Sequence, residues 1–362
     1  MSPLRIHRAQ RPALAPVICR WDLDKTYLRS EFDSLRQLLR TAFERAEDKV
    51  EVPGVAALIK AIKRAAERHG REALVYFISA SPPQIGKAIR EKLALDGIPY
   101  DGIVFKDQLA QLKRGKLRNL REHVGFKLVE LLRGRLDAPA DARELLFGDD
   151  WESDSLIYSL YADVLAGRLA VDRLVPILRR IGVDARLVDQ VVALAARVAG
   201  PDAVDRIFIN LERRTPPATF RLFGPRVVPT FNYFQTAVVL GADGHLDVED
   251  VAAVGRTLVE RSGYTARGLE NSLGDLVRRA AVSLNIAERM GAELRAAGVL
   301  SAEAPARSRW RRMRDAFRRL RRRRKARRTP AGPPTRAAVD YAAILDRLRP
   351  PGRESPIEGR PA

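Results

Sequence analysis

Two rhythms of apolar and polar positions alternate over the first 160 residues. Short apolar runs, Val17-Ile18-Cys19-Arg20-Trp21, residues 73–78, residues 101–105 and Glu144-Leu145-Leu146-Phe147, have the length of buried strands. Between them apolar residues recur at helical spacing. One set is Leu35, Leu38, Leu39 and Phe43, the next is Val55, Leu58, Ile59, Ile62 and Ala65, and a third is Ile85, Ala88, Ile89 and Leu93. His69-Gly70 supplies a stop for the second helix. A polar, basic stretch over 106–121 precedes a helix over 128–136, with Lys127 at its start. Strands alternating with helices at these lengths predict an α/β fold, a Rossmann-like parallel sheet with helices on both faces.

Beyond Tyr158 the rhythm turns helical through 165–199, and residues 204–210 read as one more strand returning to the sheet. Residues 247–298 are again mostly helical. The expected organisation is a core over 12–165, a helical insertion over 166–203, a closing strand and loops of the core over 204–240, and a helical subdomain over 241–300. A basic amphipathic helix over 301–330 and a flexible tail over 331–362 complete the chain.

Composition adjusts this picture at one place. The 362 residues are 46% apolar, enough for a sizeable core and too many for wholesale disorder. No run reaches the roughly 18–20 apolar residues that span a bilayer. Residues 13–19 are too short a stretch, too soon followed by charge, for a secretory signal, so a soluble cytoplasmic protein is expected. The single cysteine, Cys19, has no intramolecular partner for a disulfide, and the four histidines show no metal-ligand spacing.

The net charge is +20, and residues 305–328 alone carry thirteen Arg and one Lys against one Asp. There Trp310, Met313, Phe317 and Leu320 recur at spacings of three, four and three, so a helix would gather them on one face with arginines around the rest. Residues 309–328 are thereby suited to an anionic membrane surface, placing the protein peripherally at the membrane. The same charges suit nucleic-acid phosphates, and a solvated tail is the third reading.

The candidate chemistry lies just after the strands, at the sheet edge where open parallel sheets bind ligands. Asp22 and Asp24 follow the first strand two residues apart, and Asp149 and Asp154 follow the fourth. One carboxylate of such a pair can act as nucleophile while the other moves a proton. Carboxylates this close stay ionised only with a cation between them, and a hard ion such as Mg²⁺ suits oxygen ligands. Asp22, Asp24, Asp149 and Asp154 are the candidate metal residues. Ser79 offers a hydroxyl to a phosphate, and Lys127 a positive charge to hold it. Asp243-Gly244-His245-Leu246-Asp247 resembles half a calcium loop but lacks its first acidic ligands, Val239 and Gly241 standing there, so it reads as a turn before a helix.

The order Asp22-Leu23-Asp24-Lys25-Thr26, Ser79, Lys127 and Gly148-Asp149-Asp150…Asp154 resembles the four motifs of the haloacid dehalogenase superfamily of phosphohydrolases. Residues 76–82 and 148–158 are similar to the catalytic domain of the actin-patch type of phosphatidate phosphatase. The resemblance covers residues 16–165. It implies a Mg²⁺-dependent phosphatase acting on a phosphate monoester, phosphatidate or a related lipid phosphate first. Asp22 would form an aspartyl-phosphate, Asp24 would serve as acid and base, and Ser79 and Lys127 would bind the phosphoryl group. Asp149 would be an acidic metal ligand, and Asp154 would orient the site or reach the metal through water. Asp150-Trp151 departs from a small Ser-Gly pair, which bears on the substrate more than on the chemistry. A nucleic-acid end phosphatase gripping through the Arg-rich helix, and a binding protein that keeps the fold without turnover, are the other readings.

Overall fold

A computed structural model describes residues 14–23, 26, 52–79, 86–105, 116–151, 153–198, 202–302 and 339–348, with backbone alone over 116–122. Asp24, the expected helix near residues 32–45 and the basic segment 309–328 lie outside the described residues. Strands β1 (Val17–Asp22), β2 (Ala73–Ser79), β3 (Gly102–Phe105), β4 (Arg143–Asp149), β5 (Val204–Asn210) and β6 (Val227–Thr230) form one sheet in the order β3-β2-β1-β4-β5-β6. Every neighbouring pair is parallel. This is the doubly wound α/β arrangement, and its order reverses beside β1, where β4 lies across from β2.

Alternate residues of each strand feed two apolar layers. On one face, Val17, Cys19 and Trp21 of β1 pack with helices α1 (Val55–Arg68) and α2 (Gly86–Leu95). Ring stacking continues that layer across the strands: Trp21 lies 3.8 Å from Phe147, and Phe147 5.3 Å from Phe208, centroid to centroid. The register makes this possible, because Trp21 is level with Phe147 and Phe147 with Phe208. The opposite face carries α3 (Lys116–Leu136), α4 (Asp154–Leu165), α5 (Val171–Ile181) and α6 (Ala185–Ala195). Helices α7 (Tyr233–Ala242), α8 (Val248–Ser262), α9 (Ala266–Arg278) and α10 (Leu284–Ala296) join the first layer and share its core with α1.

Two local differences from the sequence reading appear, and the acidic turn before α8 is as expected. The helix expected from residue 128 begins at Lys116, so Lys127 lies in the middle of α3. Residues 341–348, expected in the flexible tail, form α11 (Tyr341–Leu348), with Tyr341, Ile344 and Leu345 buried and the Tyr341 hydroxyl donating to Asp163 at 2.7 Å. The acidic turn at 243–250 uses its carboxylates internally: Asp243 accepts from Arg206, and Asp250 accepts from the Asp247 amide.

A buried ion cluster ties the second layer to the sheet. Glu144 accepts from Arg20 Nε at 2.8 Å, from the Tyr161 hydroxyl at 2.9 Å and from Arg135 at 3.4 Å. At Gly134 an added Cβ would stand 2.5 Å from the Arg20 guanidinium and push against it. Replacing Glu144 by Ala leaves two buried guanidiniums without their carboxylate and is expected to cost about 3–5 kcal/mol. Urea unfolding measures this; a loss below about 1 kcal/mol, the scale of an exposed ion pair, would show that the cluster is not stabilising.

Candidate active site

Three strands end in polar side chains withdrawn from solvent. Asp22 closes β1, Ser79 closes β2 and Asp149 closes β4, and each is almost fully buried. Since β1 pairs with both β2 and β4, Asp22 stands between the other two at the point where strand order reverses. Asp154 opens α4 and is also buried, with the positive end of that helix favouring its charge. Lys127 reaches in from mid-helix, fully buried.

The Lys127 ammonium lies 2.7 Å from Asp22 Oδ1 and 2.7 Å from Asp154 Oδ1. The other oxygen of Asp154 accepts the Asp149 amide at 3.3 Å. Asp149 in turn accepts the Trp151 amide at 2.6 Å on Oδ1, and Thr26 Oγ1 lies 3.4 Å from its Oδ2. The structure thus gathers Asp22, Lys127, Asp149 and Asp154 at one edge, with Ser79 one strand away.

Carboxylate oxygens of Asp22, Asp149 and Asp154 all lie within 4.8 Å of one another. Three carboxylates around one ammonium leave an excess of negative charge in a buried place, which a bound cation would offset. An all-oxygen donor set suits a hard divalent ion better than a soft one. The cluster therefore fits a metal ion.

Supporting groups had no assigned role in the sequence. Gly148 is required by closeness, since a Cβ there would stand 2.6 Å from that of Asp154. The Tyr233 hydroxyl donates to the Thr26 carbonyl at 2.6 Å, holding Thr26 against α7. Burial, then the Asp154 carboxylate, pushes the Tyr158 hydroxyl well above its usual range, and it donates to the Phe147 carbonyl at 3.2 Å. Asp150 faces away from the cluster: its two oxygens accept the amides of Arg213 and Thr215, each at 2.9 Å. These pairings span more than sixty residues, so no local pattern announces them.

The model of one protein family, described as phosphatidate phosphatase APP1, catalytic domain, matches residues 17–171, from β1 to the first residue of α5. Fold, site and match together define a phosphoric monoester hydrolase. Within the chain, the part similar to that phosphatidate phosphatase catalytic domain is residues 17–171. No curated protein and no solved structure matches the chain.

Proposed function

We propose that the protein is a Mg²⁺-dependent phosphatase that hydrolyses a phosphate monoester through an aspartyl-phosphate on Asp22, with phosphatidate or a related lipid phosphate as substrate. The observation that carries this reading is the Lys127 ammonium bridging Asp22 and Asp154, with Asp149 beside them. An Asp22 oxygen attacks phosphorus, and the bond from phosphorus to the alcohol oxygen breaks. Asp24 gives that oxygen a proton, then takes one from the water that attacks phosphorus and frees Asp22. Lys127 and the Ser79 hydroxyl hold the phosphoryl oxygens, where negative charge concentrates. Asp22, Asp24, Asp149 and Asp154 would hold Mg²⁺, which supplies positive charge to the phosphoryl group.

The lipid is favoured by the family match and by the basic segment 309–328, whose charge suits an anionic membrane surface. Among the described residues no helix is long and apolar enough to cross a membrane. A peripheral position on the cytoplasmic side fits this substrate. The experiment compares Mg²⁺-dependent phosphate release from phosphatidate vesicles, p-nitrophenyl phosphate and DNA carrying a terminal phosphate. Preference for vesicles is expected. Preference for DNA would replace the lipid reading with the nucleic-acid one, and release from the soluble ester alone would remove the lipid.

Gly148→Ala tests the packing behind the site. The new methyl pushes on Asp154 and draws it from Lys127, so phosphate release is expected to fall about 100-fold, as for a displacement near 1 Å. Wild-type rates in this variant would show that Asp154 need not stand where it does.

A further inference from the structure

We infer that the rim formed by Trp151, Arg213, Arg214 and Phe231 is the surface that seats on an anionic lipid bilayer. This rests on the lipid-substrate reading above and says which face of the protein meets the lipid. Asp149, Asn210 and Thr230 are level with one another on β4, β5 and β6. With strands about 4.8 Å apart, the three chains leave the sheet within about 10 Å along one edge, the edge that holds the aspartate cluster.

What those chains expose has a consistent chemistry. Trp151 is 46% and Phe231 41% exposed, whereas Trp21 is fully buried. An arginine lies over each exposed ring, Arg213 at 4.8 Å from the Trp151 centroid and Arg279 at 5.8 Å from Phe231. Rings with an apolar body beside a cation are the side chains that partition to the headgroup level of a bilayer.

The loop after β5 is built to present charge there. Asp150 holds the amides on either side of Arg214, and Arg214 itself takes φ 57°, a left-handed conformation a non-glycine residue adopts at a cost. Arg213 and Arg214 are both exposed, and neither has an acidic partner among the described residues. The rim's acids are occupied: Asp150 by the two amides and Glu212 by the Asn210 amide at 3.0 Å. Arg279 is paired with Asp275 at 2.7 Å and donates to the Pro229 carbonyl, so it braces Phe231 and leaves the outward charge to Arg213 and Arg214. A bilayer against this rim brings lipid headgroups to the sheet edge that holds the aspartate cluster.

The test uses the full chain with Trp310→Phe, so that Trp151 is the tryptophan able to report a change of surroundings. Vesicles of phosphatidylserine and phosphatidylcholine serve as the non-hydrolysable anionic surface. A blue shift of emission and protection from acrylamide are expected on vesicle addition. Arg213→Gln with Arg214→Asn, the asparagine tolerating the left-handed backbone, is expected to weaken vesicle binding about 20-fold and to flatten its salt dependence. Phe231→Ser is expected to weaken binding several-fold. Melting temperatures check that the variants fold. Co-sedimentation with unchanged Trp151 emission and quenching would overturn the inference, as would failure to sediment at all. Hydrolysis of p-nitrophenyl phosphate by the wild type judges the phosphatase reading separately, since that ester needs no surface.

Discussion

Asp22→Asn is expected to lower phosphate release by roughly 10³–10⁶-fold, the range for losing a nucleophile that works as part of a unit. The substitution keeps the shape of the side chain and takes away its charge, so the resulting amide is a poor nucleophile in an otherwise intact pocket. Stability should not follow activity down. Asp22 shares a buried place with Asp149 and Asp154 around one lysine, and removing one of three negative charges relieves repulsion. Lys127 keeps Asp154 as a partner at 2.7 Å. Release assays and melting curves on the same preparation separate the two effects. Loss of both together would mean that Asp22 is needed chiefly for the fold, and a residual rate within tenfold of wild type would exclude it as nucleophile.

Lys127→Met is expected to remove both activity and stability. The methionine matches the stem of the lysine but leaves the buried carboxylates with no ammonium among them, a cost of about 3–5 kcal/mol. For a protein of this kind that corresponds to a drop of about 10 °C in melting temperature. Lys127→Arg should not rescue, since a fully buried ammonium 2.7 Å from two carboxylates leaves no room for a planar guanidinium. Millimolar Mg²⁺ should raise the melting temperature of Lys127→Met more than that of wild type, because binding to the folded state alone stabilises it and the variant's site is more negative. A melting temperature unchanged by the substitution would contradict the charge arrangement around Lys127.

The five strands expected from the sequence lie within a residue or two of where it put them, and β1, β2 and β4, buried along most of their length, leave the plainest pattern. The sixth was hidden: Val227–Thr230 is only four residues long and contains Pro229, tolerable because β6 is an edge strand. Arg20 and Glu144 interrupt apolar runs without ending them, because each supplies the other's partner inside the protein. The first turns of α3 read as a polar stretch, which is why Lys127 was expected at a helix start. Within the candidate site, Asp22, Ser79, Asp149 and Asp154 were legible as polar groups directly after strands. The supporting residues were not, since Tyr233 meets Thr26 across 207 positions and Asp150 meets Thr215 across 65. Contacts of that range are set by the packing of the whole sheet.

The covalent step is tested most directly by stopping turnover in acid and asking where the phosphoryl group is. With phosphatidate carrying a radiolabelled phosphate, label is expected on the wild-type protein in the peptide containing Asp22, and absent from Asp22→Asn. Release of labelled phosphate with none ever held on the protein would contradict an aspartyl-phosphate and point to direct attack by water.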